Sequence, residues 1–288
     1  MAFKDILVYL DAHSGDQALL QLALAIARRD TAHLVGFYGF QLPDLTLPNL
    51  AIEGYAVSNV ARTALVRERD TAFLVAAQIE ATFREKTKLA GLTGDWEICP
   101  EKTTDIVAHV TERARYADLA VVGQANPDHP FFDKLAKLPE TVMMGSGRPV
   151  LIVPYAGDTD AVGKNVLVAW SGTREGARAV GDAMPFLRSA EMVTVLSIGR
   201  TRASEGRDES LAASLTRHLA RHGIRAVASH LVAKDIETGE LILSQAASLG
   251  CDLIVMGGYG HSSTRELILG GVTRTILQSM TVPVLMSH

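Results

Sequence analysis

The glycine residues near the carboxyl end of the chain have the spacing of a phosphate-binding loop. Gly257-Gly258-Tyr259-Gly260 follows a short apolar run, and Gly270-Gly271 precedes a predicted helix from about Val272. Glycine lets the backbone come close to a ligand, and the N–H groups of such a loop form an anion site together with a helix N-terminus. Thr273 adds a hydroxyl at the helix start. Glycines can also serve tight turns only, but their position between a strand and a helix favours phosphate binding.

Few other residues have side chains whose type and spacing suggest binding or catalysis. His261 lies inside the glycine loop, where it either contacts a bound phosphate or is simply exposed. His218 and His222 have the spacing of a metal pair on a helix, but no third ligand is evident and a solvated face is expected. Cys251 adjoins an apolar run and is predicted to be a core thiol. No set of nucleophile, base and orienting residue is evident in the sequence, so dedicated catalysis is not predicted.

The elements that hold the loop belong to an internal repeat. The segment Ala117–Gly123 (ADLAVVG) corresponds to Cys251–Gly257 (CDLIVMG), at an offset of 134 positions. Arg148–Val153 matches Val282–Met286 at the same offset. A repeat of this length indicates two copies of one fold, and only the second copy carries the glycines.

The two copies differ in length between their second and third strands. The opening strands align at an offset of 160, from Lys4 to Lys164, so the first copy holds 26 extra residues between about Tyr38 and Trp96. We interpret this excess as a loop excursion and a long amphipathic helix over Val60–Leu89. Its apolar face needs a surface to pack against, so we expect it to serve contacts rather than chemistry.

Short apolar runs alternate with helical segments throughout the chain, and this pattern predicts α/β domains with parallel sheets. The polar, glycine-bounded stretch Tyr155–Gly163 predicts the boundary, giving domains at residues 1–156 and 163–288. The fifth strands, Val150–Val153 and Val284–Met286, are apolar and lie at an open sheet edge, so we expect the two domains to pair there.

Bulk properties exclude several classes of protein. The 288 residues are 48% hydrophobic and carry a net charge of −4, which gives no electrostatic case for nucleic acid or an anionic membrane. No apolar run has the length of a membrane span. The two cysteines do not suggest a disulfide framework, so a cytoplasmic location is expected.

The loop spacing, the repeat and the strand ends together resemble the universal stress protein family in tandem form, over nearly the whole chain. The family's loop has Gly, two residues, Gly, nine residues, Gly, then Ser or Thr, which Gly257, Gly260 and Gly270 match. Its first strand ends in a Val-Asp-Gly-Ser type of segment, represented by residues 10–14 and 170–173. The resemblance implies two flavodoxin-like domains with five parallel strands in the order 3-2-1-4-5. In ATP-binding members, the first and second strands hold adenosine and the loop holds phosphates.

Departures from the family pattern predict an asymmetric protein. Ser171 stands where the family has Asp, and Gly271 where it has Ser or Thr, so the second site is expected to be weakened. The first copy has Asn126 and Ala136 in place of two loop glycines, with Lys137 after them, so its site is expected to be inactive. The predicted nucleotide-binding residues are Ala169, Trp170, Ser171, Ile198, Met256, Gly257, Gly258, Gly260, His261, Gly270, Gly271, Val272 and Thr273.

The resemblance implies a non-enzymatic stress-response regulator that binds an adenine nucleotide, ATP in the first instance, with or without magnesium. A nucleotide-independent interaction scaffold and a weak ATPase remain as alternatives. The expected partners are the nucleotide, the two domains with one another as a pseudo-dimer, a further homodimer or an unidentified protein, but neither nucleic acid nor membrane.

Overall fold

The chain forms nineteen described helices and strands that alternate along each half. In a computed structural model, residues 2–11, 16–39, 59–99, 105–127, 135–156, 162–199, 205–233, 236–258 and 270–288 are described. The first half comprises β1 (Asp5–Leu10), α1 (Asp16–Asp30), β2 (His33–Tyr38), α2 (Asn59–Leu89), β3 (Gly94–Ile98), α3 (Ile106–Ala114), β4 (Leu119–Gly123), α4 (Leu138–Ser146) and β5 (Val150–Val153). The second half comprises β6 (Asn165–Ala169), α5 (Arg174–Asp182), α6 (Met184–Ser189), β7 (Met192–Gly199), α7 (Glu205–Arg221), β8 (Ala226–Val232), α8 (Thr238–Ser248), β9 (Leu253–Gly257), α9 (Gly271–Ser279) and β10 (Val284–Ser287).

All ten strands belong to one sheet, in the order β3-β2-β1-β4-β5-β10-β9-β6-β7-β8. Within each half the strands are parallel in the order 3-2-1-4-5, so the predicted fold class is confirmed. The halves meet where β5 pairs with β10 in antiparallel fashion, with Leu285 opposite Leu151. Both of these strands are buried along their whole length, so the pairing leaves neither apolar edge open to water.

Helices cover both faces of the sheet, which explains why the strands read as continuous apolar runs. One face packs against α1, α2, α5, α6 and α7, where Ile26, Phe83 and Phe186 are fully buried. The other face packs against α3, α4, α8 and α9, where Val142 and Ile276 are fully buried. Alternate residues of each strand therefore enter different cores, which decides below which side chains can share a site.

The excess length of the first half lies between β2 and β3. Gly94 follows its strand partner Leu34 by 60 residues, whereas Ala226 follows Val193 by 33. Part of the difference lies in α2, which has 31 residues against 17 in α7. Phe83 of α2 is buried, but 67% of the Leu74 side chain is exposed. The expectation that α2 serves contacts rather than chemistry stays a prediction. No described helix has the length and apolarity needed to cross a membrane.

Candidate functional site

The predicted site lies at the carboxyl edge of β6 and β9, which are neighbours although they are far apart in sequence. Ala169 at the end of β6 pairs with Met256 near the end of β9. The chain leaves β6 toward β7 on one side, while β9 lies on the other, so the strand order reverses here. In open α/β sheets, ligands bind in the crevice at such a point. Helices α5 and α9 both begin at this edge, because each follows one of the two strands.

The first two glycines of the predicted loop are required by packing. A Cβ on Gly257 would lie 2.5 Å from the backbone carbon of Glu175 and from the backbone nitrogen of Gly176. A Cβ on Gly258 would lie 2.5 Å from Sδ of Met143. Real Cβ atoms do not make contacts below 3.0 Å. Position 257 therefore needs glycine whether or not a ligand binds, because the close atoms are backbone, whereas at position 258 the end of the Met143 side chain would have to move.

The last two glycines of the pattern have no such requirement. Among the described residues, no heavy atom lies within 4 Å of the position that a Cβ on Gly270 or Gly271 would take. Gly270 has φ −58° and ψ 137°, an ordinary extended backbone conformation. Both residues are exposed. Their Cα faces are therefore open to anything that approaches the start of α9.

The N-terminus of α9 is suited to an anion. Gly270 occupies the N-cap position without a side-chain hydrogen bond, and the first turn contains no acidic residue. The first N–H groups of a helix have no partner within it and carry its positive dipole end. One carboxylate lies nearby: Oγ1 of Thr275 donates to Oε2 of Glu237, at 3.0 Å. Glu237 is exposed and opposes an anion only through solvent-screened repulsion.

The N-terminus of α5 is already capped from within the chain. Thr173 is the N-cap residue, and its Oγ1 accepts a hydrogen bond from the Gly176 N–H at 3.2 Å. The Ser171 hydroxyl lies 3.2 Å from the same Oγ1. Ser171, which stands at the family's Asp position, is thus part of this cap. Thr173 belongs to the segment 170–173 that resembles the family, but it is not among the predicted binding residues.

A carboxylate lies buried behind the site. Glu175 is 5% exposed and forms an ion pair with Arg174. Burial raises the pKa of the Glu175 carboxyl, but hydrogen bonds from Arg174, from its own backbone N–H and from Thr173, together with the charge of Arg174, outweigh burial and hold the pKa below its ordinary value. Glu175 is therefore ionised and structurally paired, and it is not poised to act as a general acid.

The predicted adenosine residues divide between the two faces of the sheet. Ala169 and Ile198 pack with the core beneath α8 and α9. Trp170 packs with the opposite core, where its ring lies 3.3 Å from the Cβ position of Gly176. Its indole therefore lies on the face opposite to that of Ala169 and Ile198, and its place in the nucleotide site stays a prediction. The physical reason is that neighbouring residues of an extended chain point to opposite faces.

The equivalent edge of the first half is filled by its own side chains. Tyr9 occupies the position in β1 that Ala169 occupies in β6, and it is only 3% exposed. Its ring packs beside Phe37, with centroids 6.4 Å apart. Ile106, the first residue of α3, lies 2.5 Å from the Cβ position of Gly39. These apolar groups occupy the surface that the second half leaves to Ala169.

The helix start of the first half also differs. Lys137, which aligns with Gly271, is the N-cap residue of α4, and the first turn contains Pro139 and Glu140. Proline lacks an N–H, and an acidic side chain in the first turn already offsets the helix dipole. Both residues are buried. An anion would find little to bind there.

The remaining predicted residues have the following places. Met256 and Thr273 are buried, and Val272 is half-buried. Gly260 and His261 lie outside the described residues. His218 lies on α7 and His222 directly after its end; both are exposed, and their rings are 4.8 Å apart. No group of metal-binding side chains occurs among the described residues. Burial raises the pKa of the Cys251 thiol to about 11, with a smaller effect from Asp252, in keeping with an inert core cysteine.

Ser197 and His230 form a hydroxyl–imidazole pair of the kind that a nucleophile and its base make. Oγ of Ser197 lies 3.2 Å from Nδ1 of His230. Ser197 is only 2% exposed, so no substrate reaches its hydroxyl, and the pair is a buried polar contact between β7 and β8.

The fold is a doubly wound α/β arrangement that occurs twice in the chain. Residues 163–288 match the model of the universal stress protein family. That part of the chain is a universal stress protein domain, and the predicted family is confirmed for these residues.

Solved structures extend the likeness in fold to the whole chain. A universal stress protein from Archaeoglobus fulgidus DSM 4304 is 16% identical, with a TM-score of 0.73 over 100% of this chain and 96% of that chain. A functionally unknown protein from Pseudomonas aeruginosa PAO1 is 16% identical, with a TM-score of 0.62 over 99% and 92%. A universal stress protein solved in complex with cAMP is 20% identical, with a TM-score of 0.33 over 54% and 100%. No curated protein sequence matches this chain.

Proposed function

We propose that the second half of the chain binds an adenine nucleotide, ATP in the first instance, and that the protein is a cytoplasmic stress-response regulator rather than an enzyme. The proposal treats residues 1–156 and 163–288 as two domains paired as a pseudo-dimer, with the nucleotide in the second only. The observation that carries it is the open, uncapped start of α9 at Gly270 and Gly271.

Neither packing against the described residues nor a left-handed backbone requires glycine at these two positions. At position 270, glycine leaves space for a ligand that approaches the helix start. At position 271 the family has Ser or Thr, so a small hydroxyl side chain would leave space for the ligand as well. Phosphate oxygens can accept from the N–H groups of Gly271, Val272 and Thr273, which α9 itself leaves without partners. The charge on the phosphates also interacts favourably with the helix dipole.

The base and ribose would contact the surface next to these N–H groups. Ala169 is small and lies on the same face as Ile198, so a planar base has room above the ends of β6 and β7. In the first half, Tyr9 and Ile106 occupy the corresponding space. This difference supports binding in the second half only, independently of the loop sequence.

We expect modest affinity. Ser171 offers the ribose a neutral hydroxyl that is already engaged with Thr173, and a neutral hydrogen bond is weaker than one to a carboxylate. Magnesium would contact the phosphates rather than a protein cage, since the described residues contain no acidic group arranged to hold it.

The test is a titration of the full chain with ATP, with and without magnesium, followed by calorimetry and by thermal unfolding. The informative variant is Gly271→Asp, because an aspartate at a helix start stabilises the helix by about 0.3–1 kcal/mol while repelling phosphate. We expect an unchanged or slightly raised Tm without ligand and at least a roughly tenfold loss of ATP affinity, equal to about 1.4 kcal/mol. Lys137→Asp, the same change at the equivalent position of the first half, is the matched control and should bind ATP like the wild type.

Two results would contradict the proposal. Wild-type protein that shows no heat of binding and no ATP-dependent rise in Tm would exclude a selective ligand of the folded state. Equal affinities for the wild type and Gly271→Asp would exclude α9 as the phosphate site.

The interaction scaffold remains the second candidate, and α2 favours it. Phe73 and Leu74 are 40% and 67% exposed on this helix, and exposed apolar groups of this kind suit a protein partner or a second copy of the chain. Wild-type protein without affinity for ATP that still forms a complex or homodimer would support this alternative. Phosphate release by the wild type above that of Gly271→Asp would instead support a weak ATPase.

A further inference from the structure

Gly258, which begins the glycine loop, is held from three directions. Its N–H donates to the carbonyl oxygen of Ser287 at 2.9 Å. Its own carbonyl oxygen lies 3.2 Å from Nδ1 of His288. Its Cα face meets Met143, whose Sδ and Cε would lie 2.5 and 2.6 Å from a Cβ. Met143 belongs to α4 of the first half, so the loop of one half begins against a side chain of the other.

The repeat makes this contact one of a related pair. At the offset of 134 positions, Gly258 corresponds to Gln124 and Met143 corresponds to Leu277. In the reverse direction, the Gln124 side-chain amide donates to the Leu277 carbonyl oxygen at 2.8 Å, and its Oε1 accepts from the Tyr155 N–H at 3.3 Å. In each half, the residue that follows the fourth strand is therefore held by the other half's last helix.

The two contacts differ in chemistry. Gln124 is buried and fixed by directional hydrogen bonds. Gly258 has no side chain, and the space beside it is filled by the unbranched thioether of Met143, which is 2% exposed. Thioether side chains adapt to irregular gaps. Met143 can leave this place only by disturbing a closed core.

We propose that Met143 of the first half is a positioning residue for the nucleotide site of the second half. By filling the space against Gly258, it fixes the direction in which the chain leaves β9 and enters the glycine loop. The first half, whose own site is filled, thereby acts on the second. The ligand-dependent part of this inference rests on the proposed function.

The physical reason is the packing of Gly258. With Met143 in place, Gly258 is already held before a ligand arrives, so binding loses less conformational freedom at this residue. Without it, Gly258 keeps its bond to Ser287 but loses one packed side, and its amide opens to solvent more often. Amide exchange at Gly258 is therefore a readout that needs no nucleotide.

The experiment compares Met143→Ala, Met143→Leu and the control Val142→Ala in the full chain. Val142 is fully buried in the same helix but is not among the atoms nearest Gly258, so its truncation reports general loss of packing. For Met143→Ala we expect amide exchange at Gly258 to accelerate by about tenfold and the ATP dissociation constant to rise by about threefold. Met143→Leu should restore both, and Val142→Ala should lower Tm without either change.

The outcomes separate the two proposals. Wild-type protein that does not bind ATP overturns the proposed function, but the exchange rates still decide the role of Met143. Equal exchange at Gly258 in Met143→Ala and Val142→Ala overturns that role, even when ATP binds. Failure of Met143→Leu to restore exchange also overturns it.

A steric cycle gives a second measurement. Gly258→Ala should lower Tm, because its Cβ displaces Met143, and adding Met143→Ala should recover part of that loss. Strict additivity of the two changes would show that the residues do not act on each other. If Gly258→Ala does not fold, recovery of folding in the double variant supports the contact, and a double variant that also does not fold contradicts it.

Discussion

Replacing Gly257 by alanine should destabilise the protein, whereas the same change at Gly271 should not. The added methyl at position 257 would lie 2.5 Å from two backbone atoms, the Glu175 carbon and the Gly176 nitrogen. Favourable carbon contacts need about 3.5–4.0 Å. The strand and the helix must therefore separate by about 1 Å. Because the clashing atoms are backbone, no rotamer change relieves the contact.

The size of the effect follows from what must move. The first turn of α5 carries Glu175, which is ion-paired, and Gly176, on which the Trp170 ring packs. Overpacking a tight contact of this kind costs about 1–3 kcal/mol, equivalent to a fall in Tm of roughly 3–10 °C. Gly271→Ala adds a methyl with nothing within 4 Å, so stability should change by less than about 0.5 kcal/mol.

Thermal and urea unfolding of the full chain measure this contrast. The midpoint should fall for Gly257→Ala without a change in m, since the surface exposed on unfolding is the same. Gly257→Ala with wild-type stability would show that the first glycine is not a packing residue. A comparable loss for Gly271→Ala would show that the start of α9 is not open, and it would remove the main support for a ligand there.

Three further outcomes test the surroundings of the site. Gln124→Leu leaves the Leu277 carbonyl without its donor and should lower stability by about 1–3 kcal/mol, measured by urea unfolding; an unchanged midpoint would contradict a role at the junction. Glu237→Gln should raise ATP affinity over the wild type by about twofold at low salt and by less at high salt, because dissolved ions screen the repulsion between Glu237 and the phosphates. If the variant and the wild type had equal affinities at both salt concentrations, the phosphates would bind elsewhere. The folded-state pKa of Glu175 is depressed, so its contribution to stability is present above its unfolded pKa and is lost as pH falls through the folded pKa. In Glu175→Gln, the free energy of unfolding should therefore fall less steeply at acid pH than in the wild type. The same acid dependence in both proteins would refute this.

The sequence was sufficient for the fold because the relevant signal is local and repeated. Apolar runs such as Val166–Ala169 alternate with amphipathic helices, and the resemblance supplied the strand order. The fifth strands could be expected to meet since both are entirely apolar. The antiparallel register, with Leu285 opposite Leu151, depends on how two finished sheets fit together, and no local pattern specifies that.

The site was only partly predictable for a related reason. The glycines of the loop pattern look alike in the sequence, but their packing neighbours in the structure differ. Gly257 packs against the start of α5, and Gly258 packs against Met143 from the other half. No spacing rule contains those partners. The division of Ala169 and Trp170 between the two faces was predictable, because neighbouring residues of an extended chain point to opposite faces. Tyr9 was also readable, as an aromatic residue where the second copy has Ala169.

The asymmetry between the halves follows from how the sheet is joined. Joining β5 to β10 brings the last helix of each half against the strand end of the other, so neither carboxyl edge is independent. In the first half this contact uses a hydrogen-bonded Gln124, and Tyr9 closes the surface beside it. In the second half, the corresponding contact is made by Met143, which packs against Gly258, a residue without a side chain. The first half, whose carboxyl edge is filled by its own side chains, can therefore support the second half rigidly. Under the proposed function, the second half, whose edge is open, can change conformation when the nucleotide binds.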